Sequence, residues 1–502
     1  MSAFQRHYPD WKAPAEDGRT VLWPEPAPLL ADVRSNQRRL AAAANVHIQG
    51  VALPELRRRM RGFVGHDDSQ PLIVTGHQVE LHHPGVWVKN ILINDIAART
   101  GGRALHVALD TDSPKHLTLR WPGEALPISD DSRLTSAAWS GLLDPPTPAH
   151  LDDIRRKLAD ASAGWSFQPL LGEMINSLRR LSLESMNLPT ALTNAMHELD
   201  WKLGLQHHIV LSSPIWAAEP YLLFAHDLLS NIEALARRYN AALADYRAAN
   251  GIRSKMRPMP DLFITDESIE TPFWLDNLAT SGRTRPTLFR TDGGWMLTLS
   301  DGRQFTFDPK ADGWDAAQRL GRWLTETQHR LPPRALTQML FLRLALADHF
   351  VHGIGGGRYD QVTDRLIADH YGIEPPMFAV TTATMYFPDA VGRQRVCMPC
   401  VKQDGHRVRH GLLGERKRDM VAEIAALPRR SPQRSQRYFQ MHRQLAAAAA
   451  DSDAIRRWQT KFEDSLERDK EEQTLFDREL FYALQPQSRL ADMIVAYRQL
   501  FG

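Results

Sequence analysis

Two acids one residue apart, Asp110 and Asp112, follow the apolar run ALHVAL at 104–109. A carboxylate set directly beyond a core segment carries a desolvation cost unless something pairs with it. Either acid could accept a proton from an amine, orient an ammonium group or, with His116, hold a divalent cation. A second polar group, Thr75, Gly76, His77 and Gln78, follows the apolar run PLIVT at 71–75, and Lys89 comes eleven residues after Gln78. His77 is an acid or base matched to neutral pH, and Lys89 can neutralise a phosphate or carboxylate. A third group is HGIGGGRYD, 352–360, with Gly353, Gly355, Gly356 and Gly357 read as preceding a helix and Arg358 beside them. Unpaired backbone N–H groups and a helix N-terminus there would cradle an anion. The bland alternatives are helix caps for the Thr and Ser residues and a tight helix-to-helix turn for the glycines. A fourth group, Cys397-x2-Cys400-x5-His406-x3-His410, has donors for a zinc knuckle, although zinc fingers separate the two pairs more widely.

Positioning such residues requires buried strands that end where they stand. PLIVT and ALHVAL are short and almost wholly apolar, as expected of strands covered on both faces. Between them VWVKNILINDIAART places Val88, Ile91, Leu92 and Ile96 at helical spacing, so 71–109 reads as a βαβ unit with a parallel strand pair. HIVLSS at 208–213 and MFAVTTAT at 377–384 read as further buried strands, bringing Ser212, Ser213, Thr381 and Thr382 to strand ends. In open parallel sheets ligands bind beyond the carboxyl ends of the strands, which is where these residues cluster. The glycine loop departs from the dinucleotide fingerprint, since a helix precedes it and Arg358 stands where the third glycine is expected.

The remaining composition narrows the class. The 502 residues carry 61 Lys plus Arg against 59 Asp plus Glu and are 43% apolar. That balance excludes the basic footprint of a nucleic-acid-binding chain and the composition of a disordered one. The arginines at 57, 58, 59 and 61 read as a solvated helix face. Two cysteines cannot build a disulfide scaffold, and no apolar run is long enough for a signal peptide or a membrane span. A cytoplasmic protein with a small-molecule substrate and no nucleic-acid or membrane partner is expected. Hairpin signals at Asp292-Gly293-Gly294 and Asp301-Gly302 mark a small antiparallel insertion. The expected organisation is α/β: 1–260, an N-terminal segment and first core half with a helical insertion; 261–315, the β-hairpin subdomain; 316–410, the second core half; 411–502, a helical hairpin or coiled-coil tail, with long helices near 417–450 and 453–484.

The order of these motifs resembles the bacillithiol-biosynthesis cysteine-adding family, cysteine ligases that attach cysteine to glucosaminyl-malate. The family's TGQQ-like loop, helix lysine, EDHD-like cluster and YIGGP-like glycine loop have counterparts in Thr75-Gly76-His77-Gln78, Lys89, Asp110-Thr111-Asp112 and Gly353-Ile354-Gly355-Gly356-Gly357. This sequence departs from the pattern at His77, Leu109, Thr111 and Gly357, so the resemblance is to a divergent relative. It implies a Rossmann-like core, a homodimer formed through the helical tail, and condensation of an amino-acid carboxylate with the amine of a small sugar-derived substrate. His77, Asp110 and Asp112 would be catalytic. Thr75, Gly76, Gln78, Lys89, Gly353, Gly355, Gly356, Gly357 and Arg358 would bind substrate or anion. The activating cofactor stays open, a nucleotide being one candidate. Two other classes fit the residues: a metal-dependent nucleotide-sugar transferase using Asp110-x-Asp112, and a non-catalytic ligand-binding protein that assembles through its tail.

Overall fold

A computed structural model describes residues 6–502, which divide into a larger unit (residues 6–119, 125–385 and 478–502) and a smaller helical one (120–124 and 386–477). The larger unit is built on six strands: β1 (Thr20–Trp23), β2 (Leu72–Gln78), β3 (Arg103–Leu109), β4 (His208–Leu211), β5 (His349–His352) and β6 (Phe378–Ala383). Their spatial order is β1-β6-β5-β2-β3-β4. β1 is an antiparallel edge, paired Thr20 to Ala383, and every other neighbouring pair is parallel. From β2 the chain steps outward through β3 to β4, then returns to the opposite flank of β2 for β5 and β6. Successive connections therefore leave in opposite directions at the β2/β5 boundary. This is an α/β fold, and Leu72–Thr75, β5 and β6 are buried throughout, which is why they read as continuous apolar runs.

The helices of the larger unit include α1 (Leu53–Phe63), α2 (Pro84–Thr100), α3 (Leu188–Lys202) and α4 (Ile354–Leu366). α2 starts where His83 accepts the Gly85 N–H and Pro84 supplies a preset φ, and it stops at Gly101 in the left-handed region, φ 68°. In α1, the arginine run is only half solvated. Arg58 and Arg59 are exposed and pair with Glu55, but Arg57 and Arg61 are buried on Asp348 at 2.7 and 3.1 Å. The solvated-face expectation fails there because the 3.6-residue period turns every third or fourth arginine toward the sheet.

The chain divides elsewhere than the sequence reading placed its boundaries. The strands Ser268–Glu270, Thr287–Thr291, Gly294–Thr298 and Gln304–Phe307 form the antiparallel sheet, with Asp292-Gly293 as a two-residue turn, yet they belong to the larger unit. Their inner residues Ile269, Leu288, Leu297 and Phe307 join the same core as β2 and β3. Residues 478–502 also belong there rather than to a tail. Tyr482 stacks on Trp87 with ring centroids 5.1 Å apart, and the Tyr497 hydroxyl meets Thr381 Oγ1 at 2.6 Å.

The smaller unit holds the helices Met398–Gly411, Gly414–Ala426, Pro432–Ala450 and Asp453–Leu475. The expected helix over 417–450 is broken between Ala426 and Pro432. The second long helix ends at Leu475, short of the expected 484. Trp458 donates its indole N–H to the Val401 carbonyl at 2.9 Å across the face of Gly405, where a Cβ would overlap the indole. Gly405→Ala is expected to cost about 1–3 kcal/mol through that overpacking, seen as a lower helical melting temperature by circular dichroism. Among the described residues no helix is long and apolar enough to cross a membrane.

Candidate active site

A crevice of about 390 Å³ opens beyond the carboxyl ends of β2, β3 and β5. β2 contributes Gly76, His77 and Gln78, the β3 end contributes Leu109, Thr111 and Asp112, and His352 with Gly356 comes from β5 and α4. The far wall carries Trp274 and Arg285 from the inserted region and Arg334 from the start of the helix Ala335–Phe341. The site thus lies at the boundary where the strand order reverses, the position at which loops diverge and leave room for a ligand.

Gln78 and Asp112 meet directly, Nε2 donating to Oδ2 at 2.6 Å, while Asp112 Oδ1 accepts the Ser113 N–H at 3.0 Å. Asp112 is half-buried and keeps acceptor capacity toward the crevice. Asp110 is differently placed. It is 3% exposed, Oδ1 accepts from Ser212 Oγ and the Ser213 N–H, both at 2.8 Å, and Oδ2 accepts from the Ser213 hydroxyl. Its carboxylate ties the β3 end to the β4 end, and it does not line the crevice. Asp110→Ala would remove the shared acceptor of the Ser212 and Ser213 hydroxyls and the half-buried Ser213 N–H, an expected loss of about 1–3 kcal/mol in urea titration. Asp112→Asn keeps an acceptor for Gln78 and should move the same midpoint little.

His77 sits between Glu80, 2.5 Å from Nε2, and Lys89, whose Nζ is 3.3 Å from Nδ1. Lys89 also donates to the Gly76 carbonyl at 2.8 Å and is 2% exposed. Burial brings the Lys89 ammonium down to about 7, against a smaller upward pull from Glu80. Burial, then the Lys89 charge, hold the His77 imidazole well below its ordinary value, and burial raises Glu80. Beneath them His82 stacks on His106 with centroids 5.6 Å apart. Both nitrogens of His77 are thus engaged in holding the 76–80 turn, and Lys89 works from under that turn rather than in the crevice.

The glycine run lies inside the helix instead of before it. α4 begins at Ile354 with Gly353 as its N-cap, so Gly355, Gly356 and Gly357 form its first turn. Gly355 and Gly356 are exposed, while Gly357 is buried against β6 and its N–H is already bonded to the Gly353 carbonyl at 3.0 Å. A Cβ at Gly357 would overlap Val380 Cγ2 and lie 3.4 Å from Trp11. Gly357→Ala should therefore push α4 off the sheet at a cost of about 1–3 kcal/mol, measurable as a reduced thermal midpoint. Arg358 bonds to the Trp11 carbonyl at 2.6 Å and to Asp10 at 3.1 Å, away from the crevice lining. Thr75 is spent on the Val351 carbonyl at 2.8 Å.

No protein-family model matches this chain, and no curated protein matches it. The site is therefore read from its own chemistry. Cys397 and Cys400 are joined as a disulfide, so neither sulfur is a thiolate ligand for a zinc knuckle. The His406 and His410 rings meet one helical turn apart, tilted by 40° with centroids separated by 4.1 Å. Among the described residues no group of three or more His, Cys, Asp or Glu side chains is arranged to hold a metal ion.

Several crevice residues were not singled out from the sequence. Arg285 is exposed, lies 5.5 Å from the Trp274 ring centroid, and forms no ion pair among the described residues. Arg334, by contrast, is held by Glu270 at 2.7 Å. His352 and Asp360 bracket the glycine run, and their side chains meet at 2.7 Å. Burial pushes the Asp360 carboxyl up, but Arg343 and His352 outweigh it and hold it at about 2. The His-x7-Asp spacing around the glycines was a visible signal for that pair. Nothing in the GRTRPT segment marks Arg285, because its placement depends on how the inserted strands pack.

Proposed function

We propose that the chain is a carbon–nitrogen ligase-like enzyme, a divergent relative of the bacillithiol-biosynthesis cysteine-adding family, with a Rossmann-like core and its chemistry in the β2/β5 crevice. The observation that carries this reading is one crevice holding Gly76, His77, Gln78, Asp112 and Gly356 together with Arg285. Joining a carboxylate to an amine needs an anchor for the carboxylate, an acceptor for the ammonium proton and donors for the oxyanion that develops. Arg285 supplies the anchor, its guanidinium having no competing carboxylate. Asp112 orients the ammonium and takes its proton. The α4 N-terminus, with the free N–H groups of Gly355 and Gly356, faces the negative charge that activation generates. His77 and Lys89 are positioning residues that keep the Gly76 to Glu80 turn in place.

The activating cofactor stays open, a nucleotide being one candidate; the composition points to a cytoplasmic protein, and the resemblance adds a homodimer through the helical segment. Sedimentation of the full chain reads the last point, and a monomer at micromolar concentration rejects it. The activity is tested by incubating the full chain with cysteine, glucosaminyl-malate and ATP and seeking the amide by mass spectrometry. Arg285→Ala and Asp112→Asn should each lower the rate of amide formation by about a hundredfold or more, with the fold retained. Absence of both product and heat of binding for every component would reject the ligase reading.

A further inference from the structure

The Cys397–Cys400 disulfide joins residues three apart, and the chain has no other cysteine. Both residues are exposed. Cys397 is the N-cap of the helix Met398–Gly411, and its Sγ accepts the Cys400 N–H at 3.3 Å. Pro399 stands in the first turn, where a missing N–H costs the helix nothing. A bond across two intervening residues constrains the unfolded chain less than one closing a longer loop. The packing that holds this unit uses other residues: Trp458 against Gly405, and the cluster of Ile424, Met441 and Leu445. Solvent access on both sulfurs, a helix N-terminus at one of them and a dispensable cross-link are the features of a pair that cycles, not of a staple.

We propose that Cys397 and Cys400 form a redox-active dithiol/disulfide that exchanges with a low-molecular-weight thiol, independently of the crevice and of what reaction occurs there. In reduction, an incoming thiolate attacks Cys397 Sγ. The bond to Cys400 breaks, and Cys400 leaves as a thiolate that takes a proton from water. A second thiolate then attacks the sulfur of the bound thiol, releasing the external disulfide and the Cys397 thiolate. Two external thiols are oxidised to one disulfide, and one protein disulfide is reduced to two thiols. Cys397 is the attacked sulfur, and the nucleophile in reverse, because as a thiolate it keeps the Cys400 N–H and the positive end of the helix dipole.

The test uses the full chain equilibrated at pH 7 with reduced and oxidised glutathione at varied ratio, acid-quenched, alkylated and weighed intact. The expected result is a single transition from no alkylated cysteine to two, with the far-ultraviolet circular dichroism unchanged across it. With oxidised glutathione, Cys400→Ser should acquire a glutathione adduct on Cys397 roughly tenfold faster than Cys397→Ser acquires one on Cys400. A disulfide that survives every ratio until the chain is unfolded in guanidinium overturns the proposal. So do equal rates in the two variants.

Discussion

Acidification from pH 6 to pH 4 is expected to unfold the larger unit, because its interior keeps histidines neutral. Burial lowers His82, His207 and His349 to about 3, and His83, His226 and His370 to about 4. In the unfolded chain each binds a proton near pH 6.5. Between that value and the folded one the unfolded state holds more protons, so stability falls as pH drops. Three buried acids work the other way. Asp95, Asp200 and Asp227 are raised to about 6 by burial, so below that pH the folded state holds protons the unfolded state takes up only near 3.8. Six histidines opposed by three acids leave a net difference of three protons. At about 1.4 kcal/mol per proton per pH unit this is about 4 kcal/mol per unit, against a whole stability of about 5–15 kcal/mol. Urea titrations followed by tryptophan fluorescence should show the midpoint falling steeply from pH 6 downward, and His207→Gln should reduce the slope by about one proton. An unchanged midpoint at pH 5 would sink the argument. Lys89 adds an alkaline counterpart: with its ammonium at about 7, the folded state holds fewer protons than the unfolded one up to about 10.5, so its share of stability grows across that window.

Those histidines also show how far the sequence could be read. Strands expected at 71–75, 104–109, 208–213 and 377–384 are observed at Leu72–Gln78, Arg103–Leu109, His208–Leu211 and Phe378–Ala383. Burial on both faces removes polar residues from a strand, and that removal is visible in one dimension. β5 escaped because HFVH carries two histidines, and a reading of apolar runs continues the preceding helix through it. His349 and His352 are tolerated there only because Asn36 lies 3.4 Å from His349 and Asp360 2.7 Å from His352, partners far off in sequence or beyond the glycine run. The same limit applies to the site. Strand ends brought Gly76, His77, Gln78 and Asp112 to one place, as expected of carboxyl-end loops. Which of two neighbouring acids faces the crevice is not a one-dimensional property. Asp110 turns toward Ser212 and Ser213, and that depends on β4 lying beside β3.

Arg343→Met is expected to cost about 3–5 kcal/mol, since it removes one partner from a buried ionic set and leaves the others charged. Arg343 is 2% exposed, with Nη1 at 2.9 Å from Asp360 and Nη2 at 2.6 Å from Asp364. It also donates to the Pro376 carbonyl and lies 5.1 Å from the Phe378 ring, so it ties α4 to the start of β6. The two acids differ in what remains without it. Asp364 keeps Arg6 at 2.8 Å and the Tyr8 hydroxyl, whereas Asp360 keeps His352, which burial holds toward the neutral form. The uncompensated charge therefore falls on Asp360, in the crevice wall. Arg343→Met combined with Asp360→Asn should recover about half of the loss, and Arg343→Met with Asp364→Asn distinctly less, in a urea double-mutant cycle. A loss below about 1 kcal/mol for Arg343→Met would mean the pair is solvated in solution. Equal recovery from the two acids would mean that the charge is shared along α4, and that the position of Asp360 does not depend on this arginine.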